Sequence, residues 1–283
     1  MCRFILYQGP PLRIAALVAE PENSLIHQSV HSRERKEPVN GDGFGLAWYP
    51  PNSTEPPARF RSITPAWNNA NLLDLARVIE SRVILAHVRA ASQARSVAET
   101  NCHPFKYGPY TFMHNGDVGG FGKVRRALLS ELSDEAFDSI QGGTDTEHAF
   151  ALLLDRLRPF GVWPTVDQMI EALGNTIARL VELVAERVPG VPSFMNFALS
   201  NGRSSVVTRF TTKPGYDGES LHLHHGRRYV CEAGACRMLE PNEEGGAFLV
   251  SSERLSADPG WETIPRNSLV AIGEDGAVRR TKL

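Results

Sequence analysis

The chain begins Met1-Cys2-Arg3-Phe4 and runs directly into the apolar segment Ile5-Leu6-Tyr7. Cysteine has a small side chain, so ordinary removal of the initiator methionine would expose it as the N-terminal residue. It would then carry a thiol and a free α-amine on one residue. An α-amine titrates near ~7.7–8.0 and a thiol near ~8.5, so the amine can accept the thiol proton at neutral pH. The stretch therefore predicts an N-terminal nucleophile, although many chains carry a small second residue without any chemical role.

The apolar patterning predicts strands layered with helices. Residues 2–8 show little polar alternation, which indicates a strand buried on both faces. Capping-box spacing, with Thr144 three residues before Glu147 and Thr165 three before Gln168, predicts two helices that end near Pro159 and Val188. Further helices are predicted at 12–20 and 71–80, and further strands at 46–49, 82–89, 110–113, 194–200, 205–210, 220–224, 247–252, 268–272 and 277–282. Long helices after a block of strands indicate helices packed on sheets, and without a linker we expect one domain, 1–283.

Composition limits the functional classes. The 283 residues are 42% hydrophobic and 22% charged with a net charge of −2, so no basic surface indicates a nucleic-acid partner. No apolar run is long enough to span a membrane, and the N-terminus is not typical of a signal peptide. Four cysteines in a chain of this length do not indicate a disulfide scaffold. We therefore expect a cytoplasmic protein.

Polar residues cluster just past predicted strand ends, where functional sites are usually built. Arg89 ends one such strand, Asn101-Cys102-His103-Pro104 follows a polar loop, and His114-Asn115-Gly116 ends the next strand. Neighbouring side chains on an extended segment point in opposite directions, so Cys102 and His103 are not expected to act as a pair. The glycine-rich segment 40–45 lacks G-x-G-x-x-G spacing and no helix follows it, which favours a hairpin turn over a phosphate-binding loop.

A second group of potential metal ligands lies near the C-terminus. It comprises His222, His224 and His225, followed by Cys231 and Cys236. The Cys-x4-Cys spacing is wider than the usual zinc spacing, and alternating histidines on a strand more often lie on a solvated face. Zinc is the less favoured of these two interpretations, and we expect no metal and no cofactor.

Five motifs, in this order, resemble those of the class II glutamine amidotransferases, which belong to the N-terminal-nucleophile hydrolase superfamily. They are Met1-Cys2-Arg3, residues 86–92 (AHVRAAS), Asn101-Cys102-His103-Pro104, His114-Asn115-Gly116 and residues 143–147 (GTDTE). Segments 40–45 and 112–116 resemble the stand-alone members, which include a glutathione-degrading amidotransferase-like subunit. The resemblance implies an α+β fold, a four-layer αββα sandwich with Cys2 opening a central strand.

The resemblance also implies the catalytic roles. Cys2 would attack a γ-carboxamide carbonyl while its own amine takes the proton and returns it to the leaving group. The Asn115 side-chain amide and the Gly116 backbone N–H would form the oxyanion hole, where the loss of one donor can cost ~3 kcal/mol.

Substrate binding is implied in the same way. Arg89 would bind the α-carboxylate through two parallel hydrogen bonds, and Asp145 would accept the α-ammonium. Ser92 and His114 would line the same pocket. One departure is visible: synthetases of the family usually have Arg-Trp-Ala-Thr where this chain has Arg89-Ala90-Ala91-Ser92, so the tryptophan is absent.

These features predict a γ-glutamyl amide hydrolase acting through a γ-glutamyl thioester on Cys2, with glutamine or a γ-glutamyl peptide or conjugate as substrate. One alternative is a glutaminase subunit that delivers ammonia to a separate synthase chain, since residues up to Leu283 leave no room for a synthase domain. A second is a catalytically silent regulatory subunit, which retention of Met1 would favour. A bile-salt or acyl-amide hydrolase is less favoured, because its substrates lack an amino-acid head group. A partner synthase or peptidase chain is left open, as is the oligomeric state.

Overall fold

Two antiparallel sheets form the centre of the fold in the computed structural model, which describes residues 2–34, 39–51, 55–91, 97–232, 234–241 and 246–283. In these ranges one sheet has eight strands and the other six, and every paired strand is antiparallel.

The eight-stranded sheet has the order β10-β9-β11-β1-β4-β2-β3, with β12 paired to β9. The chain's first strand, β1, therefore lies between β11 and β4, inside the sheet. Its strands are β1 (Arg3–Arg13), β2 (Phe44–Trp48), β3 (Ala58–Ser62), β4 (Glu80–Val88), β9 (His222–Glu232), β10 (Ala235–Pro241), β11 (Ala247–Ser251) and β12 (Glu262–Thr263).

The six-stranded sheet has the order β14-β13-β8-β7-β6-β5. The last strand of the chain lies at its edge, as its run of basic residues suggests, because charged side chains protect an exposed edge from further pairing. The strands are β5 (Phe105–Tyr107), β6 (Tyr110–Asp117), β7 (Phe194–Ser200), β8 (Ser205–Arg209), β13 (Ser268–Ile272) and β14 (Val278–Lys282).

Helices cover the outer face of each sheet. Apolar residues of α1, α2 and α3 pack on β1, β2, β4 and β11 of the larger sheet, and those of α4, α6 and α7 pack on β6, β7, β8 and β13 of the smaller one. A third apolar cluster lies between the sheets. The predicted αββα layering is thus confirmed. The helices are α1 (Ala15–Val18), α2 (Leu25–Val30), α3 (Ala70–Val78), α4 (Phe121–Leu129), α5 (Asp134–Asp138), α6 (Asp145–Leu157) and α7 (Val166–Arg187).

The side chains of β1 alternate between these cores. Phe4 and Leu6 belong to the cluster between the sheets, whereas Ile5 and Tyr7 pack under α1 to α3. Both faces of the strand are therefore buried, which explains its continuous apolar sequence.

The helix caps match the prediction only in part. Thr165 and Gln168 form a complete capping box on α7. On α6, Thr144 caps the Glu147 backbone, but the Glu147 carboxylate accepts hydrogen bonds from the backbone N–H groups of Gln141 and Gly142 instead. The Glu147 carboxylate is therefore bound by the preceding loop and is not the acceptor that completes a capping box. In the part of the chain that the structure describes, no helix is long and apolar enough to cross a membrane.

Candidate active site

Cys2 lies immediately before β1 and is half-buried. Alternation along the strand places it on the same face as Phe4 and Leu6, toward the space between the sheets. Its sulfur lies 3.7 Å from the carbonyl oxygen of Ala90. Burial raises the pKa of the Cys2 thiol, and the nearby charge of Arg89 offsets this only in part. The sulfur therefore needs a base to lose its proton at neutral pH.

Asn115 projects toward the same space from the opposite sheet. It lies two residues beyond Met113 on β6, and Met113 belongs to the cluster between the sheets. The Asn115 side chain is buried, and its Oδ1 atom has no hydrogen-bond partner among the described residues. A buried amide oxygen without a partner is uncommon outside sites that bind a ligand.

One contact between the sheets places these residues at the same end of the sandwich. His87 on β4 is paired with Phe4 on β1, and its Nε2 atom lies 3.1 Å from the carbonyl oxygen of His114 on β6. Cys2 lies two residues before Phe4, and Asn115 directly follows His114. Cys2 and Asn115 therefore lie near the same end of the two facing sheets, measured along their strands.

Gly116 follows Asn115 in a backbone conformation that favours glycine, with φ of 144°. A Cβ atom at this position would overlap the carbonyl oxygen of Phe194 on the paired strand β7 and would approach His114 Nε2 to 2.9 Å. Because Gly116 has no side chain, β6 can lie close to β7 at this position. The polar residues at the end of β6 are then directed toward the site.

Arg89, just past β4, is buried, and its main chain is fixed by residues 42 and 43. Its N–H donates to the Gly43 carbonyl at 2.8 Å, and its carbonyl accepts from the Asp42 N–H at 3.0 Å. The Asp42 carboxylate accepts from the Ala91 N–H at 2.8 Å. The hairpin turn predicted for 40–45 is therefore wrong, because this segment leads from α2 into β2 and holds Arg89 in place.

Asp145 is the first residue of α6, where the helix N-terminus favours a negative charge. Its carboxylate accepts hydrogen bonds from the backbone N–H groups of Val118 and Thr146, both at 2.8 Å. Val118 lies two residues past Gly116, so Asp145 is joined to the polar end of β6.

His114 has protein partners at both ring nitrogens. Nε2 lies 2.9 Å from the Phe194 carbonyl oxygen, and Nδ1 lies 3.0 Å from the Thr146 hydroxyl. Since a carbonyl only accepts, Nε2 carries a hydrogen and donates it to Phe194. The ring thus joins β6, β7 and α6, and the contact of His114 with substrate stays a prediction.

The family model for class-II glutamine amidotransferases matches residues 18–282. The chain belongs to this family. A probable glutamine amidotransferase of Saccharomyces cerevisiae, DUG3, is 38% identical over 96% of this chain and 82% of its own length. A γ-glutamyl-hercynylcysteine sulfoxide hydrolase of Mycobacterium tuberculosis is 31% identical over 98% and 94%.

Solved structures show the same fold at lower identity. A glutamine aminotransferase class-II domain protein from Silicibacter pomeroyi superimposes with a TM-score of 0.67 at 24% identity, covering 100% of this chain and 99% of the other. The glutamine phosphoribosylpyrophosphate amidotransferase of B. subtilis has a TM-score of 0.57 at 13% identity, over 100% of this chain and 49% of its own.

Two further histidines of this amidotransferase domain are buried beside the site. The rings of His87 and His103 lie 4.2 Å apart, and burial lowers the pKa of His87 to about 3 and that of His103 well below its usual value. Both rings are therefore neutral at neutral pH. The buried sulfur of Cys102 lies 3.6 Å from the carbonyl oxygens of Ser62 and Ala98, and the structure records no contact between it and the His103 ring within the described ranges.

The C-terminal group of potential metal ligands has other partners. Cys231 and Cys236 form a disulfide across the β9–β10 hairpin, so their sulfurs are not thiolate ligands; this bridge was not predicted. His222 pairs with Glu34 at 2.9 Å. Within the ranges that the structure covers, no group of three or more His, Cys, Asp or Glu residues is arranged to hold a metal ion.

Two predicted features cannot be placed. Met1 and Ser92 both lie outside the described residues.

Sequence reasoning missed one buried ion pair beside the nucleophile. Arg3 and Glu253 are 2% and 0% exposed, and Arg3 Nε lies 3.0 Å from Glu253 Oε1. An arginine inside an apolar strand was the available signal, because a buried charge needs a partner. The sequence could not identify that partner, which lies 250 residues away.

Proposed function

We propose that this chain hydrolyses γ-glutamyl amides, with Cys2 as the nucleophile. The observation that carries the proposal is the convergence of Cys2, just before β1, and Asn115, on β6, at the same end of the space between the two facing sheets. The proposal requires removal of Met1, because the α-amine of Cys2 is then free to act as the base.

The sulfur attacks the γ-carbonyl carbon, and the α-amine accepts the thiol proton. A C–S bond forms and the carbonyl oxygen gains negative charge, which the Asn115 amide and the Gly116 N–H stabilise. The amine then gives its proton to the leaving nitrogen, and the C–N bond breaks to leave a γ-glutamyl thioester. Water attacks this thioester, and glutamate leaves while the sulfur recovers a proton. Every proton transfer uses the same amine, so no second basic residue is needed.

Substrate recognition is proposed to concentrate on the glutamyl head group. Arg89 supplies a planar guanidinium for the α-carboxylate, and Asp145 supplies a carboxylate for the α-ammonium. Asp145 already accepts two backbone hydrogen bonds and lies 3.3 Å from the Thr146 hydroxyl, but a carboxylate has about four acceptor positions, so at least one remains for an ammonium. Ser92 is kept as a proposed pocket residue. His114 is proposed to hold Asn115 and Thr146 in place.

The proposed substrates include γ-glutamyl compounds whose leaving group is larger than ammonia. Ala90 stands where the synthetases have tryptophan, which leaves room beyond the head group. The mycobacterial relatives are named for a γ-glutamyl conjugate as their substrate. We therefore propose γ-glutamyl peptides or conjugates as substrates at a rate at least comparable with glutamine. A partner synthase or peptidase chain, a single domain and a cytoplasmic location belong to the same proposal.

A side-by-side assay tests this choice. Glutamine, glutathione and a γ-glutamyl anilide are compared, with glutamate release as the readout, after mass analysis has established that Met1 is absent. Cys2→Ala is the matched inactive control. Strict preference for glutamine, with ammonia passed to an added synthase, would support the glutaminase-subunit alternative. Absence of turnover with all three in Met1-free protein, alone and with candidate partner chains, would support a silent subunit.

A further inference from the structure

Few hydrogen bonds among the described residues hold Cys2 in place, although a nucleophile must be positioned accurately. The strand β1 begins at Arg3, so Cys2 lies outside its ladder, and chain termini are poorly ordered unless they are tied down. Within the described residues, the recorded hydrogen bonds of Cys2 are the long one from its sulfur to Ala90 and one at its carbonyl oxygen, donated by Arg3 Nη1 at 3.0 Å. The sulfur must leave Ala90 to attack a substrate, so Arg3 provides the contact that persists.

The Arg3 guanidinium is itself held from two further sides. Its Nε donates to Glu253 Oε1 at 3.0 Å, and its Nη2 donates to the Ser32 hydroxyl oxygen at 2.6 Å. The Ser32 hydroxyl donates in turn to Glu253 Oε1 at 2.6 Å, and the Arg33 N–H donates to Glu253 Oε2 at 2.9 Å. The planar guanidinium thus connects Cys2 to the end of β11 and to the segment that follows α2.

The pair is ionised at neutral pH. Burial alone would raise the pKa of Glu253, but the hydrogen bonds from Ser32 and Arg33 and the charge of Arg3 outweigh it and lower that pKa. A buried ion pair usually stabilises a fold no better than apolar residues of similar size. Its position next to the nucleophile therefore points to a role other than stability.

We propose that Glu253 and Ser32 are positioning residues for the nucleophile, acting through Arg3 to fix the carbonyl group of Cys2. This rests on the proposed function of Cys2. The carbonyl orientation limits rotation about the Cys2 backbone, and the sulfur and the α-nitrogen are both attached to the same Cα atom. Fixing one group therefore sets the direction of the thiol and of its base together. A displacement of ~1 Å in a reacting group can reduce a rate ~100-fold.

Two variants separate positioning from substrate binding. Glu253→Gln keeps the shape and one acceptor oxygen but removes the charge, and Ser32→Ala removes a bond to each partner while leaving the ion pair. Both residues contact Arg3 beside the nucleophile, so kcat should fall ~10-fold or more in Glu253→Gln and ~3-fold in Ser32→Ala, with KM nearly unchanged. Glu131→Gln is the control, since it cuts a more exposed ion pair with Arg179 in the helical layer; it should keep the wild-type kcat.

A second readout is independent of turnover. The rate of Cys2 alkylation by iodoacetamide, followed by peptide mass mapping, reports on the thiol and its base without any substrate. We expect it to fall in parallel with kcat in both variants and not in the control. Unfolding midpoints in urea show which variants are folded under the assay conditions.

The outcomes are distinct. Wild-type kcat and alkylation rates in folded Glu253→Gln and Ser32→Ala would overturn the proposal, as would a loss confined to KM. If Glu253→Gln does not fold, Ser32→Ala decides. If the wild-type protein hydrolyses no γ-glutamyl compound, the proposed function fails, and the alkylation rates alone then decide whether the ion pair positions Cys2.

Discussion

Replacement of Gly116 by alanine tests the proposed oxyanion hole, because the backbone conformation and the close packing at this position favour glycine. The residue has φ of 144°, and an added Cβ would overlap the Phe194 carbonyl oxygen on the neighbouring strand. The same Cβ would lie 2.9 Å from His114 Nε2, which donates to that carbonyl. The substitution therefore strains the backbone and separates β6 from β7 at one position.

The expected magnitude has two parts. An unfavourable φ for alanine costs about 1–3 kcal/mol, and a buried hydrogen bond that is broken between His114 and Phe194 costs about 1–3 kcal/mol. Together they should lower the free energy of unfolding by about 2–6 kcal/mol, a large part of the ~5–15 kcal/mol of a typical domain. Displacement of the Gly116 N–H from the reacting oxygen should also reduce kcat by ~100-fold or more.

The assay combines urea unfolding with steady-state kinetics on the best γ-glutamyl substrate. Gly122→Ala is the matched control, because a Cβ at that position in α4 meets no atom within 4 Å. Alanine is the better helix former, so this variant should keep its activity and gain up to ~1 kcal/mol of stability. Loss of activity should therefore be specific to position 116.

Two results would refute the reasoning. Gly116→Ala with a wild-type unfolding midpoint would show that the strands separate without strain. Gly116→Ala with kcat within about threefold of wild type would show that this N–H does not stabilise the reacting oxygen.

Three further outcomes are expected. Cys2→Ala and Cys2→Ser abolish hydrolysis while Cys102→Ala keeps most of it; a glutamine-analogue electrophile that labels Cys102 instead of Cys2 would contradict this. Activity rises between about pH 6 and 8. Burial raises the pKa of the Cys2 thiol, so the thiol stays protonated in this range and the rise in activity reflects loss of a proton from the α-amine, which can then act as base. The apparent pKa values of this profile belong to the amine and thiol as a pair. Full activity with Met1 retained would place the base elsewhere. Arg89→Lys weakens the binding of glutamine and of γ-glutamyl peptide alike, because one ammonium cannot replace a bidentate guanidinium. The KM values for both substrates measure this effect. A rise in KM for only one of them would contradict the prediction.

Some secondary structure was accessible from the sequence and some was not. The strands predicted at 194–200 and 205–210 are present as β7 and β8, and α7 covers most of its predicted range. The helix predicted at 12–20 is only partly present, since β1 continues to Arg13 and α1 is short. Helices α4 and α5 were missed because both are short, and no side-chain cap marks the start of α4 after Gly120.

The sequence by itself determined what depends on local order: a thiol next to the start of a buried strand, caps before two helices, and polar residues at the ends of apolar strands. Only the tertiary structure decided which of these residues meet. Arg3 forms an ion pair with Glu253, and the Asp42 carboxylate accepts a hydrogen bond from the backbone beside Arg89. The His114 ring is hydrogen-bonded to Thr146 and to the Phe194 carbonyl. These contacts follow from the order and stacking of the strands, and no pattern within one segment specifies a partner that lies tens or hundreds of residues away.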